Sequence, residues 1–145
     1  MNQESYPVTT DQEHLVYEFL SEGPRGTIKK VIRYQKIIGN FFNLAFGDWN
    51  QEHLKIDDLA RSNNSDKGKV LRTVALTTIE FIQYYPNAVI LFKGSTPART
   101  RLYQIAILEN MAVIDKIFTI EGLLNGYWKI FEPGNNYESF IIKSK

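Results

Sequence analysis

The apolar run Ala88-Val89-Ile90-Leu91-Phe92 is closed by Pro86 on one side and Gly94 on the other, and this bracket constrains the fold more than any other stretch. The run is too short for a helix, so it reads as a buried strand. On both sides the pattern changes to helical spacing. Before it, Val70, Leu71, Val74, Thr78, Phe81, Ile82 and Tyr85 recur three and four apart, which predicts a helix over 67–85 that Pro86 stops. Many of its residues are β-branched, so packing rather than propensity must hold it. After the run, Ser95 or Thr96 offers an N-cap and Pro97 a first helical residue, which predicts a second helix over 97–109. On its wheel Ala98, Leu102, Ile105 and Ala106 form the expected core stripe.

The flanks read as strands. A run over 15–20, the turn Gly23-Pro24-Arg25-Gly26 and a β-branched run over 27–38 make a hairpin. Gly39-Asn40 then leads into a third strand over 41–48. The cluster Ser62-Asn63-Asn64-Ser65-Asp66 is loop chemistry, and Ser65 or Asp66 caps the first helix. Residues 111–118 fit either a helical continuation or a strand. Strands over 118–124, 127–132 and 137–143 follow, divided by Asn125-Gly126, a type I′ signal, and by Pro133-Gly134-Asn135-Asn136. Strands grouped rather than alternating with helices predict an α+β fold, a largely antiparallel sheet of about six to seven strands with two main helices on one face. One domain over 1–145 is expected, with 1–13 as a polar, loosely ordered leader.

Composition narrows the chemistry. The chain has 17 basic and 16 acidic residues, so only a local patch can argue for nucleic acid. It has no cysteine, which excludes disulfides, thiolate metal sites and cysteine nucleophiles. His14 and His53 stand in segments without a partner motif, and no serine sits in Gly-x-Ser-x-Gly. Without a signal-peptide pattern or a run long enough to span a bilayer, a cytoplasmic protein without membrane partner, cofactor or metal is expected.

Several phrases together resemble a family of small bacterial proteins known only as a domain of unknown function. They are Gly23-Pro24-Arg25-Gly26, Asn43-Leu44-Ala45-Phe46-Gly47-Asp48, Asn63-Asn64-Ser65-Asp66 with Val70-Leu71, and Gly94-Ser95-Thr96-Pro97-Ala98-Arg99-Thr100-Arg101-Leu102-Tyr103. The resemblance implies a bacterial, intracellular protein and carries no agreed activity.

The last phrase is also the candidate site. A helix start holds unsatisfied N–H groups and partial positive charge, and arginines there are unfavourable unless an anion offsets them. A phosphate would meet the N–H groups, the hydroxyls of Ser95 and Thr96 and the guanidinium forks of Arg99 and Arg101. On the wheel Arg99 and Tyr103 share one flank while Arg101 takes the other. The competing reading pairs an arginine with Asp48, Asp66 or Glu109. Asp48 and Asp66, with Asp57 and Asp58, also have the chemistry of a hard-cation site, although their spacing matches no known metal loop, and they read more simply as a turn and a cap. The basic strand with Lys29, Lys30, Arg33 and Lys36 around Tyr34 is read as a charged exposed face, with a nucleic-acid strip as the alternative.

Two functions follow. In one, the protein binds RNA or another phosphate-bearing ligand through 94–103. Its enzymatic form is a toxin-like ribonuclease in which Arg99 or Arg101 stabilises phosphoryl charge and Tyr103 acts as acid, base or orienter. In the other, it is a non-enzymatic protein-interaction or homodimerisation module with structural arginines.

Overall fold

The computed structural model describes residues 5–57 and 64–145. Among these residues nine strands and three helices run in the order β1 (Thr9–Thr10), β2 (Val16–Gly23), β3 (Gly26–Ile38), β4 (Phe41–Asn50), β5 (Lys55–Asp57), α1 (Lys67–Tyr84), β6 (Val89–Phe92), α2 (Pro97–Glu109), α3 (Met111–Ile117), β7 (Phe118–Leu124), β8 (Tyr127–Ile130) and β9 (Ser139–Ser144). The strands hydrogen-bond in the order β1-β2-β3-β4-β6-β9-β7-β8, with β5 added to β4. The fold is α+β and largely antiparallel, as expected, and α2 has the expected bounds. The strand count is a correction: β1 and β5, of two and three residues, are too short to show a period. A third helix settles the ambiguous stretch after α2. Asn110 divides the two helices, its backbone N–H donating to Ile107 and its side chain to the Ala106 carbonyl at 2.8 Å.

The chain forms two compact units, Met1–Gln35 with Leu44–Tyr84, and Lys36–Asn43 with Tyr85–Lys145. In the first, the buried residues include Tyr17, Phe19, Ile32 and Tyr34 of the strands and Val70, Val74, Phe81 and Ile82 of α1. Tyr34 stacks on Phe81 with ring centroids 4.1 Å apart, and its hydroxyl lies 3.0 and 2.9 Å from those of Thr77 and Thr78. Those threonines let a β-branched helix bury polar groups without orphaning them, and burial pushes the Tyr34 hydroxyl pKa up. In the segment expected as a leader, Tyr6 is buried with its ring 5.4 Å from Phe19, and Thr9 pairs with Glu18. Burying such rings is worth roughly 1.5–3 kcal/mol each, which ties this segment to the unit.

The second unit is built on β6. Its Val89 and Leu91 pair in parallel with Phe41 and Asn43, and the opposite edge pairs antiparallel with β9. β9 also pairs with β7, so it lies between strands that precede it in the chain. Ile90, Ile107, Phe118, Ile120, Phe131, Phe140 and Ile142 form the core. The β7–β8 hairpin turns on Asn125 (φ 53°) and Gly126 (φ 82°), the left-handed pair of the expected type I′ turn.

Candidate functional site

The 94–103 turn locks itself before it offers anything to a ligand. Thr96 is the N-cap, and its hydroxyl accepts from the Arg99 N–H at 3.2 Å. Thr100, buried one turn on, accepts from the Gly94 N–H at 3.0 Å and donates to the Thr96 carbonyl at 3.1 Å. Gly94 is buried, and a Cβ there would lie 2.6 Å from the Cβ of Arg99. Close approach of helix and strand end thus requires this glycine.

α2 corrects the expected stripe. Its buried residues are Thr100, Gln104 and Ile107, while Ala98 and Ile105 are exposed and Leu102 and Ala106 half-buried. The 100/104/107 face has helical spacing, but two of its members are polar, so an apolar count passes over it. The physical reason is backbone demand. Gln104 donates to the Asn135 carbonyl and accepts from the Tyr137 N–H at 3.1 Å, satisfying a loop that forms no ladder. Tyr137 lies against Gly122, where any side chain would collide with its ring.

Arg99 and Tyr103 are half-buried and Arg101 is exposed. Tyr103 packs near Phe92 with centroids 6.1 Å apart, and Ser95, Arg99 and Tyr103 each engage a neighbour within the chain. The first turn of α2 holds no acid. From 81 to 108 the sequence holds Lys93, Arg99 and Arg101 and neither Asp nor Glu, so the local charge is positive.

Of the acids considered as partners, Asp48 and Asp66 are engaged in the first unit, while Glu109 is exposed at the end of α2. The Asp48 carboxylate accepts from Lys30 in an ion pair with little exposure. Asp66 accepts from the hydroxyls of Tyr6 and Ser21, each at 2.5 Å. Burial raises the Tyr6 pKa, and the Asp66 carboxylate beside it adds to the rise. Asn64, just before Asp66, is buried and reaches across to the β2–β3 turn. Its side chain donates to the Ser21 hydroxyl at 3.1 Å and the Gly26 carbonyl at 2.9 Å, and accepts from the Arg25 N–H at 2.8 Å. A Cβ on Gly23 would strike Asn64. Sequence reasoning treats Asn64 as local loop chemistry; nothing in its spacing reveals a partner some forty residues away, at Arg25. With Ser21 at 0 % exposure this cluster is a buried clasp rather than a substrate site.

Of the basic strand, Lys29 pairs with Glu18 at 3.1 Å and lies over Trp49, Lys30 is buried against Asp48, and Tyr34 is 1 % exposed, so its ring is not open to a base, while Lys36 is exposed. His14 stacks on Tyr84 with centroids 3.5 Å apart. Among the described residues no group of His, Asp and Glu side chains gathers as metal ligands; Asp58, one of the acids considered, lies outside them. No helix among them is long and apolar enough to cross a membrane.

Residues 2–145 match DUF6934, a family of unknown function, and the chain belongs to it. Neither the curated proteins nor the solved structures contain a match.

Proposed function

We propose, from membership of a family without an assigned activity, that this protein binds a phosphate-bearing ligand, RNA foremost, at the turn opening α2. One observation carries the reading: α2 starts with no acid in its first turn, beside Lys93, Arg99 and Arg101. An anion there would offset both the helix dipole and the cations. The exposed Arg101 and Ser95 are the groups that reach a phosphate first, with Arg99 on the other flank. Thr96, already the cap, holds the turn in shape. In the toxin-like ribonuclease form, Arg99 and Arg101 stabilise phosphoryl charge and Tyr103 supplies the proton-handling hydroxyl. A bacterial cytoplasm is the setting this reading calls for.

Titration with inorganic phosphate and a short oligoribonucleotide at low salt, followed by amide NMR, tests the binding. Shifts at residues 95–101 are expected. Arg101→Ala should weaken oligoribonucleotide binding and lower its salt slope by about one. Absence of shifts with both probes overturns the reading. For the enzymatic form the comparison is cellular RNA in cells expressing wild type or Arg99→Ala; identical, intact profiles overturn it.

A second reading, a non-enzymatic protein-interaction or homodimerisation module, is favoured by β8. Tyr127 is 77 % and Ile130 60 % exposed at the end of the strand order.

A further inference from the structure

β8 is Tyr127-Trp128-Lys129-Ile130, every residue exposed, and its pairing among the described residues is with β7. The hairpin fixes which of its backbone groups point outward. In a two-residue type I′ hairpin the closing pair, here Leu124 and Tyr127, is hydrogen-bonded, and bonded and non-bonded pairs then alternate. Gly122 and Lys129 form the next bonded pair. The Phe131 N–H donating to Ile120 at 3.0 Å keeps the same parity. The N–H and C=O groups of Trp128 and Ile130 therefore face away from β7, along the sheet edge.

An open edge with a ring on each of its two faces is a pairing template, and natural edges carry a charge such as lysine to restrict what can pair. Lys129 is that charge, and it selects the partner. An antiparallel strand related by a two-fold axis must be centred on one residue facing itself. Centred on Lys129, the pairing sets two ammonium groups against each other. Centred on Trp128, it sets Lys129 of each copy opposite Tyr127 of the other on one face, a cation over a ring. On the other face it brings the two Trp128 rings together beside Leu123, which pairs with Trp128 across the hairpin. The two Trp128 residues then exchange N–H to carbonyl bonds. We infer that β8 joins a second copy of this chain, antiparallel and centred on Trp128, so that the edge strand carries its own complement. This inference supplies the surface for the second reading above and is independent of the anion site.

Sedimentation equilibrium of the wild-type chain should show a monomer–dimer equilibrium; a monomer at every accessible concentration overturns the inference. Trp128→Pro removes an outward N–H that no intrachain ladder uses, a substitution edge strands tolerate. It should weaken dimerisation at least about tenfold with its circular dichroism retained. A dimer as tight as wild type overturns the inference. The register has a separate test that does not depend on that variant folding. The chain has no cysteine, so Trp128→Cys and Lys129→Cys each introduce a single thiol. Residues facing themselves in a bonded pair have Cα atoms about 5.5 Å apart, within disulfide reach. Trp128→Cys should give a covalent dimer on mild oxidation and Lys129→Cys should not; the reverse pattern, or equal cross-linking, overturns the register.

Discussion

Gly94 shows how much one missing side chain can carry. Its φ is not among the left-handed values of Gly26, Gly39, Gly126 and Gly134, so turn geometry does not call for glycine there. The close approach of Arg99 and the Thr100 amide does. Gly94→Ala should therefore lower stability by about 1–3 kcal/mol through overpacking, read as a lower urea midpoint with unchanged slope. An unchanged midpoint would mean that the turn relaxes freely. In the sequence, Gly94 is legible as punctuation and Thr96-Pro97 as a helix start. The steric demand is not, because it depends on how closely the helix returns to the strand end.

Helix α2 is legible in its bounds and misread in its face. An apolar count chooses Ala98 and Ile105, yet the helix docks through Thr100, Gln104 and Ile107. Polar residues at helical spacing carry the same geometric information as apolar ones when a backbone needs partners. Gln104→Leu should orphan the Tyr137 N–H and the Asn135 carbonyl, costing about 1–3 kcal/mol for each group. Gln104→Glu separates the two bonds. Its carboxylate still accepts from Tyr137 but faces the Asn135 carbonyl, so burial and that carbonyl raise its folded pKa above the unfolded value of about 4.3. A raised folded pKa means stability present below the unfolded value and lost as pH rises through the folded one. Relative to wild type, Gln104→Glu should be weaker at neutral pH and recover in acid, while Gln104→Leu stays weak throughout. Chemical denaturation across pH checks this, and parallel profiles for the two variants would mean that Gln104 does not hold the Asn135 and Tyr137 backbone groups.

The whole molecule keeps what sequence order hides. Hairpins were readable because their turns are local: Asn125-Gly126 between β7 and β8, Gly23 to Gly26 between β2 and β3. The placement of β9 between β6 and β7 was not, since nothing near residue 140 names its neighbours. The candidate site is legible only as a charge pattern, and the partners of Asp48 and Asp66 are not legible at all. If β8 joins two copies, thermal stability becomes a function of protein concentration, because mass action favours the folded dimer. The melting temperature should rise with concentration for wild type and stay flat for Trp128→Pro; a flat wild-type response counts against the dimer. The position of β9 also matters during synthesis. Val89 must await Lys143 before that edge of β6 is closed, and Phe118 must await Ser144. During translation the nascent chain therefore carries open strand edges that its own hairpins cannot seal. Pairing over such separations is slow, so those edges stay open until the central strand β9 has emerged.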